Sequence, residues 1–213
     1  MNADPLGSRS EALTATANTI VDLWFGDDLE SPRAVSERSG QWFASDPTFD
    51  ELIRSRFETL PDQALNGDFA EWARTPFSTL ALVLILDQFP RNLYRGPSRS
   101  FAYDSAAVNI SREAIAHSLD HELHPLHAVF LYLPLEHSED QNLQNQCVSL
   151  FRQLVERAPS LLTDQFSSFL GYAERHHAVI KQFGRFPHRN SILGRISTPE
   201  ELEFLHSGGD TFS

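Results

Sequence analysis

Cysteine, lysine and long apolar runs are scarce in this chain of 213 residues. The single cysteine, Cys147, excludes an intramolecular disulfide and a zinc site built from several cysteines, which suits a reducing cytosol. The single lysine, Lys181, leaves one residue for Schiff-base chemistry. The longest apolar run, residues 80–86, is far shorter than the roughly 20 residues of a membrane helix, and residues 1–9 show no secretory signal. We therefore expect a cytoplasmic protein with no membrane partner.

Positive charge is also in short supply. The chain has 17 Lys and Arg residues against 29 Asp and Glu residues, which gives a formal net charge of −12. Because the phosphate backbone repels such a protein, no nucleic-acid partner is expected. No phosphate-binding loop, dinucleotide fingerprint or nucleophile elbow occurs, and we expect no cofactor.

Helix signals dominate what is present. Ser31-Pro32, Asp46-Pro47 and Thr198-Pro199 each pair an N-cap residue with proline at the first helical position, and residues 138–141 fit a capping box. The apolar pattern of residues 166–183 has helical spacing and ends at Gly184, a typical C-cap. The predicted helices are 11–25, 32–39, 47–58, 61–66, 68–73, 77–89, 102–118, 123–136, 139–156, 161–183 and a short one from 199.

These patterns predict an all-α fold of about ten helices. Short connections make successive helices antiparallel neighbours. A length of 213 residues and a hydrophobic fraction of 41% favour one domain with a sizeable core. We assign that domain to residues 11–206, with loose tails at 1–10 and 207–213.

Two predicted helices, residues 77–86 and 126–135, are apolar on nearly every side and are expected at the centre of the fold, with Pro134 kinking or ending the second. Each runs into a polar cluster: residues 87–96 begin Asp-Gln-Phe-Pro-Arg-Asn, and residues 136–140 read Glu-His-Ser-Glu-Asp. A third cluster follows the long C-terminal helix, where residues 184–190 read Gly-Arg-Phe-Pro-His-Arg-Asn. The proline of the first and third clusters sets the exit from a helix and presents the Arg and Asn that follow.

The cations are concentrated around these clusters. Residues 84–100 and 174–195 hold eight of the 17 cations and carry a net charge of +6, which leaves −18 for the rest of the chain. Arginine binds carboxylates and phosphates through paired hydrogen bonds, so these stretches predict a small-anion site. Structural ion pairs are the alternative. Asp87 can be interpreted in the same two ways. A carboxylate near a helix C-terminus needs a cation such as Arg91, and this pair would either close the helix end or hold Arg91 in position for a ligand.

Nine histidines add acid–base groups. His137 or His188 beside a carboxylate would move a proton, whereas His176 on an apolar helical stripe is equally explained as a hydrogen-bonded core residue. No diagnostic metal-ligand spacing occurs, so no metal is expected. The candidate catalytic residues are His137, His188, Asp87 and Glu139, and the candidate ligand-binding residues are Gln88, Arg91, Asn92, Arg95, His176, Arg185, Arg189 and Asn190.

The same clusters carry a family resemblance. Residues 86–96, 130–140 and 183–195, together with shorter motifs at 21–26, 42–43 and 197–201, resemble the domain-of-unknown-function family 924. The resemblance covers about residues 17–212 and implies an all-helical fold similar to tetratricopeptide-repeat proteins, although the chain shows no 34-residue repeat. It implies no established reaction. One departure is His127-Ala128-Val129, where relatives often carry Arg or Gln before Phe-Leu-Tyr-Leu-Pro.

We therefore predict a helical array in which the three clusters form one pocket for a small carboxylate- or phosphate-bearing molecule. Any catalysis would be metal-independent acid–base chemistry of the hydrolase or lyase type. The alternative is a non-catalytic module that binds a protein partner or a second copy of itself on a concave face. An enclosed pocket favours the first interpretation, and an open groove with exposed aromatic residues favours the second.

Overall fold

Helices account for the secondary structure of the computed structural model, which describes residues 5–212 and their side chains from residue 15 onward. In chain order the α-helices are α1 (Pro5–Phe25), α2 (Pro32–Phe43), α3 (Pro47–Phe57), α4 (Leu60–Leu65), α5 (Pro76–Val83), α6 (Phe89–Leu93), α7 (Asp104–Ala116), α8 (Pro125–Glu136), α9 (Gln141–Arg157), α10 (Thr163–Phe183) and α11 (Pro199–His206). Short 3₁₀ turns occupy several of the connections. The described residues contain no strand, so the all-α prediction is confirmed.

Side-chain caps start the helices where the sequence predicts them. Ser31 accepts from the backbone N–H of Ala34, and Asp46 accepts from two backbone N–H groups in the first turn of α3. Thr198 and Glu201 form a complete capping box on α11. The capping box predicted at residues 138–141 is wrong, because Asp140 caps α9 instead.

The central helix continues further than predicted. A π-helical turn, Leu84–Gln88, joins α5 to α6, so the chain stays helical from residue 76 to residue 93. Pro90 explains the wider turn, since its ring has no N–H to donate and would crowd the carbonyl four residues back. Asp87 therefore lies inside a helix and not near its C-terminal end. The prediction that the helix dipole makes this carboxylate need a cation was wrong for that reason.

One large core confirms the single domain. Its buried residues come from helices α1 to α3 and α5 to α10 and from the connections between them, and α5, the π turn and α8 contribute residues that are buried on nearly all sides. Helix α9 packs between α8 and α10, and α1 packs on α5. No helix of the described part of the chain combines the length and the apolar character that crossing a membrane requires. The tetratricopeptide-like arrangement stays a prediction.

The ends of the chain differ from the predicted tails. Residues 5–10 belong to α1, and residues 1–4 lie outside the described residues. At the other end, Asp210 pairs with Arg175 and Phe212 stacks on His176, so this segment folds back onto α10. Ser213 also lies outside the described residues.

Candidate functional site

An aspartate–histidine pair lies where the π turn meets the end of α8. His137 Nδ1 is 2.8 Å from Asp87 Oδ1, and Gln88 donates a second hydrogen bond to the same carboxylate. Burial acts to raise the pKa of Asp87, but His137, Arg91 and Gln88 together hold the pKa below its usual value. Asp87 is therefore ionised, and the proton of the shared hydrogen bond lies on Nδ1 of His137.

Glu136 precedes His137 and is buried beside His176. The Glu136 Oε1 atom lies 3.2 Å from His176 Nδ1, which also donates to the carbonyl of Tyr172 at 2.9 Å. Burial raises the pKa of Glu136 to about 8, and the charge on Asp87 adds to this effect. Burial lowers the pKa of His176 to about 2, with a further contribution from His137. Both groups are consequently neutral at pH 7, and Glu136 is a protonated carboxylic acid beside the ionised Asp87.

A cavity of about 780 Å³ opens onto these groups. It lies between α2, α8, α10 and residues 208–212, and Glu136, His137 and His176 form part of its wall. Arg175 is a cation on the same wall. The apolar lining consists of Phe43, Val129, Leu133, Phe151, Phe169 and Tyr172. A cavity in which apolar walls adjoin a few converging polar groups is the usual form of a small-molecule site.

Two arginines, Arg91 and Arg189, lie next to the Asp87–His137 pair. Arg189 is buried, and its Nη1 atom donates to the backbone carbonyl of His137 at 2.9 Å. Asp104 lies 2.8 Å from Arg91 Nη2 and 3.7 Å from Arg189 Nη1. Both guanidinium groups also contact the ring of Phe101. Burial lowers the pKa of Arg189 to about 10, so this group stays charged at neutral pH. The three polar clusters are thus in contact with one another, but of their members only Glu136 and His137 line the cavity.

Four of the predicted ligand-binding residues join helices together. Asn92 and Arg95 both hydrogen-bond to Asp50 of α3. Arg185 forms a bidentate pair with Glu201 of α11, and Asn190 donates to the same carboxylate. None of these four side chains lines the cavity. The ion-pair alternative therefore describes this half of the predicted site.

Glu139 and His188 also have surroundings unlike those of the Asp87–His137 pair. Glu139 accepts two hydrogen bonds from Arg195 and one from the backbone N–H of Phe186. Although burial opposes it, this set of donors keeps the pKa of Glu139 below its usual value. His188 has no carboxylate partner among the described residues, and burial lowers its pKa to about 4. Its ring lies 5.6 Å from the ring of Phe186.

Sequence reasoning missed Glu136, Asp104, Arg175 and the C-terminal residues of the cavity. Glu136 had a readable signal, because it ends a helix whose preceding residues are apolar on nearly every side. Asp104 had none, since an acidic residue in the first turn of a helix is ordinary. Arg175 was seen only as one member of a basic stretch, and its position on the cavity wall depends on the packing of α10 against α8.

Fold and site together define an all-helical protein with a cluster of titratable side chains beside an open cavity. The family model described as bacterial protein of unknown function (DUF924) matches residues 20–209, and the chain belongs to this family. A solved structure of a protein of unknown function from Agrobacterium tumefaciens is 35% identical, with a TM-score of 0.78, and the match covers 92% of this chain and 99% of that one. No curated protein matches the chain. Among the described residues, no group of three His, Cys, Asp or Glu side chains is arranged to hold a metal ion.

Proposed function

We propose that this protein is an acid–base catalyst of the hydrolase type that acts on a small molecule bound in the cavity. One observation carries the proposal: the wall of a single cavity holds a histidine oriented by an ionised carboxylate next to a carboxylic acid that burial keeps protonated. Titratable neighbours whose environments move their pKa values apart are typical of paired acid and base roles.

The roles follow from the hydrogen bonds. Asp87 holds Nδ1 of His137, so Nε2 is the atom that accepts a proton from water as general base. The water oxygen then bonds to the electrophilic carbon of the substrate, and the bond to the leaving group breaks. Glu136 donates its proton to that leaving group. The proton held by His137 afterwards returns to Glu136 through solvent, which restores the starting state.

The walls indicate the kind of ligand. The lining combines aromatic and aliphatic side chains with polar ones, and Arg175, which pairs with Asp210, supplies one positive charge. A molecule with an apolar body and one anionic group, a carboxylate or a phosphate, matches this lining. Arg189 and Arg91 act differently, because Asp104 neutralises part of their charge and Arg189 holds the backbone of His137 in place.

The second candidate function is a protein-interaction module. The rim of the cavity offers one observation in its favour, since Phe43 and Tyr172 are 51% and 48% exposed. A peptide side chain could enter the cavity between these rings. A purely binding function, however, gives no reason to bury the ionisable Glu136 next to Asp87 at an energetic cost.

The test is a hydrolysis screen with mono-p-nitrophenyl esters and mono-p-nitroanilides of aromatic and aliphatic dicarboxylic acids, which keep one free carboxylate, using the wild-type protein and three variants. We expect turnover of at least one substrate class by the wild type. His137→Gln should lower kcat by about 10²- to 10⁴-fold because the general base is lost. His177→Gln is the matched control, since His177 contacts Asn145 and does not line the cavity.

The pH profile provides a second readout. The rate should fall as the pH rises above about 8, where Glu136 loses the proton that it donates. Glu136→Gln should remove that limb together with most of the activity. Absence of turnover on every substrate, or an equal loss in the His137 and His177 variants, would contradict the proposed function.

A further inference from the structure

We propose that the cavity binds an aromatic carboxylate, and that the C-terminal segment, residues 208–212, occupies the position in which this ligand binds. This inference rests on the proposed function, because it names the ligand class of the same site. It is carried by two contacts that the C-terminal segment makes with the cavity wall, one through an aromatic ring and one through a carboxylate.

The aromatic contact is made by Phe212. Its ring is stacked on that of His176, with ring centres 3.5 Å apart and an angle of 20° between the planes. The rings of Phe186 and His188 each present an edge to Phe212 at 6.1 Å. Three rings therefore surround one aromatic group, in the stacked and edge-on geometries that aromatic pairs prefer. A saturated ring of similar size has no π face to stack on His176.

The carboxylate contact is made by Asp210. Its Oδ1 atom lies 3.4 Å from Nε of Arg175, and the Arg175 guanidinium lies over the ring of Tyr172 at 4.1 Å. Because the ring of Tyr172 holds Arg175 in position, a carboxylate that binds here pairs with a cation that is already oriented. Both partners of the ion pair are nearly half exposed, and such a pair exchanges readily with another anion.

The C-terminal segment reaches the cavity through a glycine turn. Gly208 has φ +82°, and a Cβ atom on Gly209 would lie 2.5 Å from the ring of Phe204. Only glycine thus lets the chain leave α11, pass over Phe204 and return to α10. Phe212 itself has φ +48°, a left-handed conformation that bulky residues rarely adopt. The contacts with the cavity wall must therefore hold the segment, and a ligand that makes the same contacts can displace it.

The two contacts adjoin the reacting groups. The ring of His176, on which Phe212 stacks, has its centre 6.3 Å from that of His137, and its Nδ1 atom is 3.2 Å from Glu136. An aromatic acid that replaces the C-terminal segment consequently lies beside both the proposed base and the proposed acid. This position fits a substrate that keeps one carboxylate free for Arg175 and carries a separate ester or amide bond to the leaving group.

The test is calorimetric titration of the full chain with 3-phenylpropanoate. Phe212→Ala removes the competing ring, so we expect it to bind this probe at least tenfold more tightly than the wild type. Ile196→Ala is the matched control, because it deletes an apolar side chain that is 91% exposed outside the cavity, and it should bind like the wild type. In the Phe212→Ala protein, 3-cyclohexylpropanoate and 3-phenylpropan-1-ol should each bind at least tenfold more weakly than 3-phenylpropanoate.

Adding Arg175→Gln to Phe212→Ala should abolish the preference for the acid over the alcohol. Equal affinities of the wild type and Phe212→Ala, equal binding of the saturated or alcohol probe, or no binding in the millimolar range would each overturn the inference. The readout is binding alone, so it is separate from the proposed catalysis. Tight binding of the aromatic acid without hydrolysis in the screen would refute only the catalytic function, and hydrolysis that does not depend on these contacts would refute only the ligand class.

Discussion

Glu136 offers the sharpest test of the electrostatics of the site. Its pKa rises from 4.5 to about 8 on folding. One pKa unit corresponds to about 1.4 kcal/mol, so the shift costs on the order of 5 kcal/mol of unfolding free energy when Glu136 is fully ionised. The folded state binds this proton more tightly than the unfolded state does. The stability that the protonated group contributes is therefore complete below pH 4.5 and is lost as the pH rises through about 8.

Glu136→Gln replaces the protonated acid by a neutral group of the same shape. We expect the variant and the wild type to differ by no more than about 1 kcal/mol at pH 5, and the variant to be more stable by several kcal/mol at pH 9. Urea unfolding at pH 5, 7 and 9 measures this difference, with the fluorescence of the buried tryptophans Trp24, Trp42 and Trp72 as the signal. Titration of the other groups cancels in the difference between the two proteins.

Glu139→Gln is the matched control. The pKa of Glu139 lies below its usual value because Arg195 and the Phe186 N–H outweigh its burial. Its removal should therefore destabilise the protein at neutral pH, and the loss should shrink as the pH falls. The two glutamates are three residues apart in sequence, but their replacement by glutamine should change the unfolding free energy at neutral pH in opposite directions. A difference between wild type and Glu136→Gln that does not vary with pH would refute the reasoning.

Two further predictions concern buried polar contacts. Arg189→Ala should lower the unfolding free energy by about 3 kcal/mol, because it leaves the His137 carbonyl without its donor and Asp104 with one cation fewer, and a loss under about 1 kcal/mol in urea unfolding would show that the contact is not structural. Tyr132→Phe should cost about 2 kcal/mol in the same assay, because the buried Asp120 loses the hydroxyl that donates to it. Tyr172→Phe, at an exposed position, should change stability by less than about 0.5 kcal/mol, and equal effects of the two tyrosine variants would contradict the second prediction.

Local rules explain how much of the fold could be predicted. The caps at Ser31, Asp46 and Thr198 satisfy N–H groups within three residues of themselves, so the residues that decide each helix start are adjacent in sequence. The start of α9 was misplaced because Ser138 and Asp140 are both good caps. The structure uses Asp140 as the cap, and Ser138 instead accepts a hydrogen bond from the backbone N–H of Asp140.

The site, in contrast, depends on contacts between residues that are far apart in sequence. The contact of Asp87 with His137 joins residues 50 apart in sequence, and it could be predicted only as the meeting of two clusters at the ends of apolar helices. Arg95 and Arg185 have the same side chain as Arg189, yet they pair with acids 45 and 16 residues away, whereas Arg189 donates to the backbone carbonyl of His137. A sequence with 29 acids and 16 arginines offers too many such pairings for spacing to decide among them.

The sequence by itself determined the helical class, the central place of two apolar helices and the polar clusters that follow them, because helix formation and amphipathic pattern depend on residues within about one turn. The tertiary structure alone decided which acid meets which cation, that Glu136 is neutral while Asp87 is charged, and that Phe212 lies on His176. These properties depend on how completely distant parts of the chain exclude water from a group and on which charges they place beside it. A carboxyl group is thus a protonated acid at Glu136, a histidine partner at Asp87 and an ion-pair partner at Glu201.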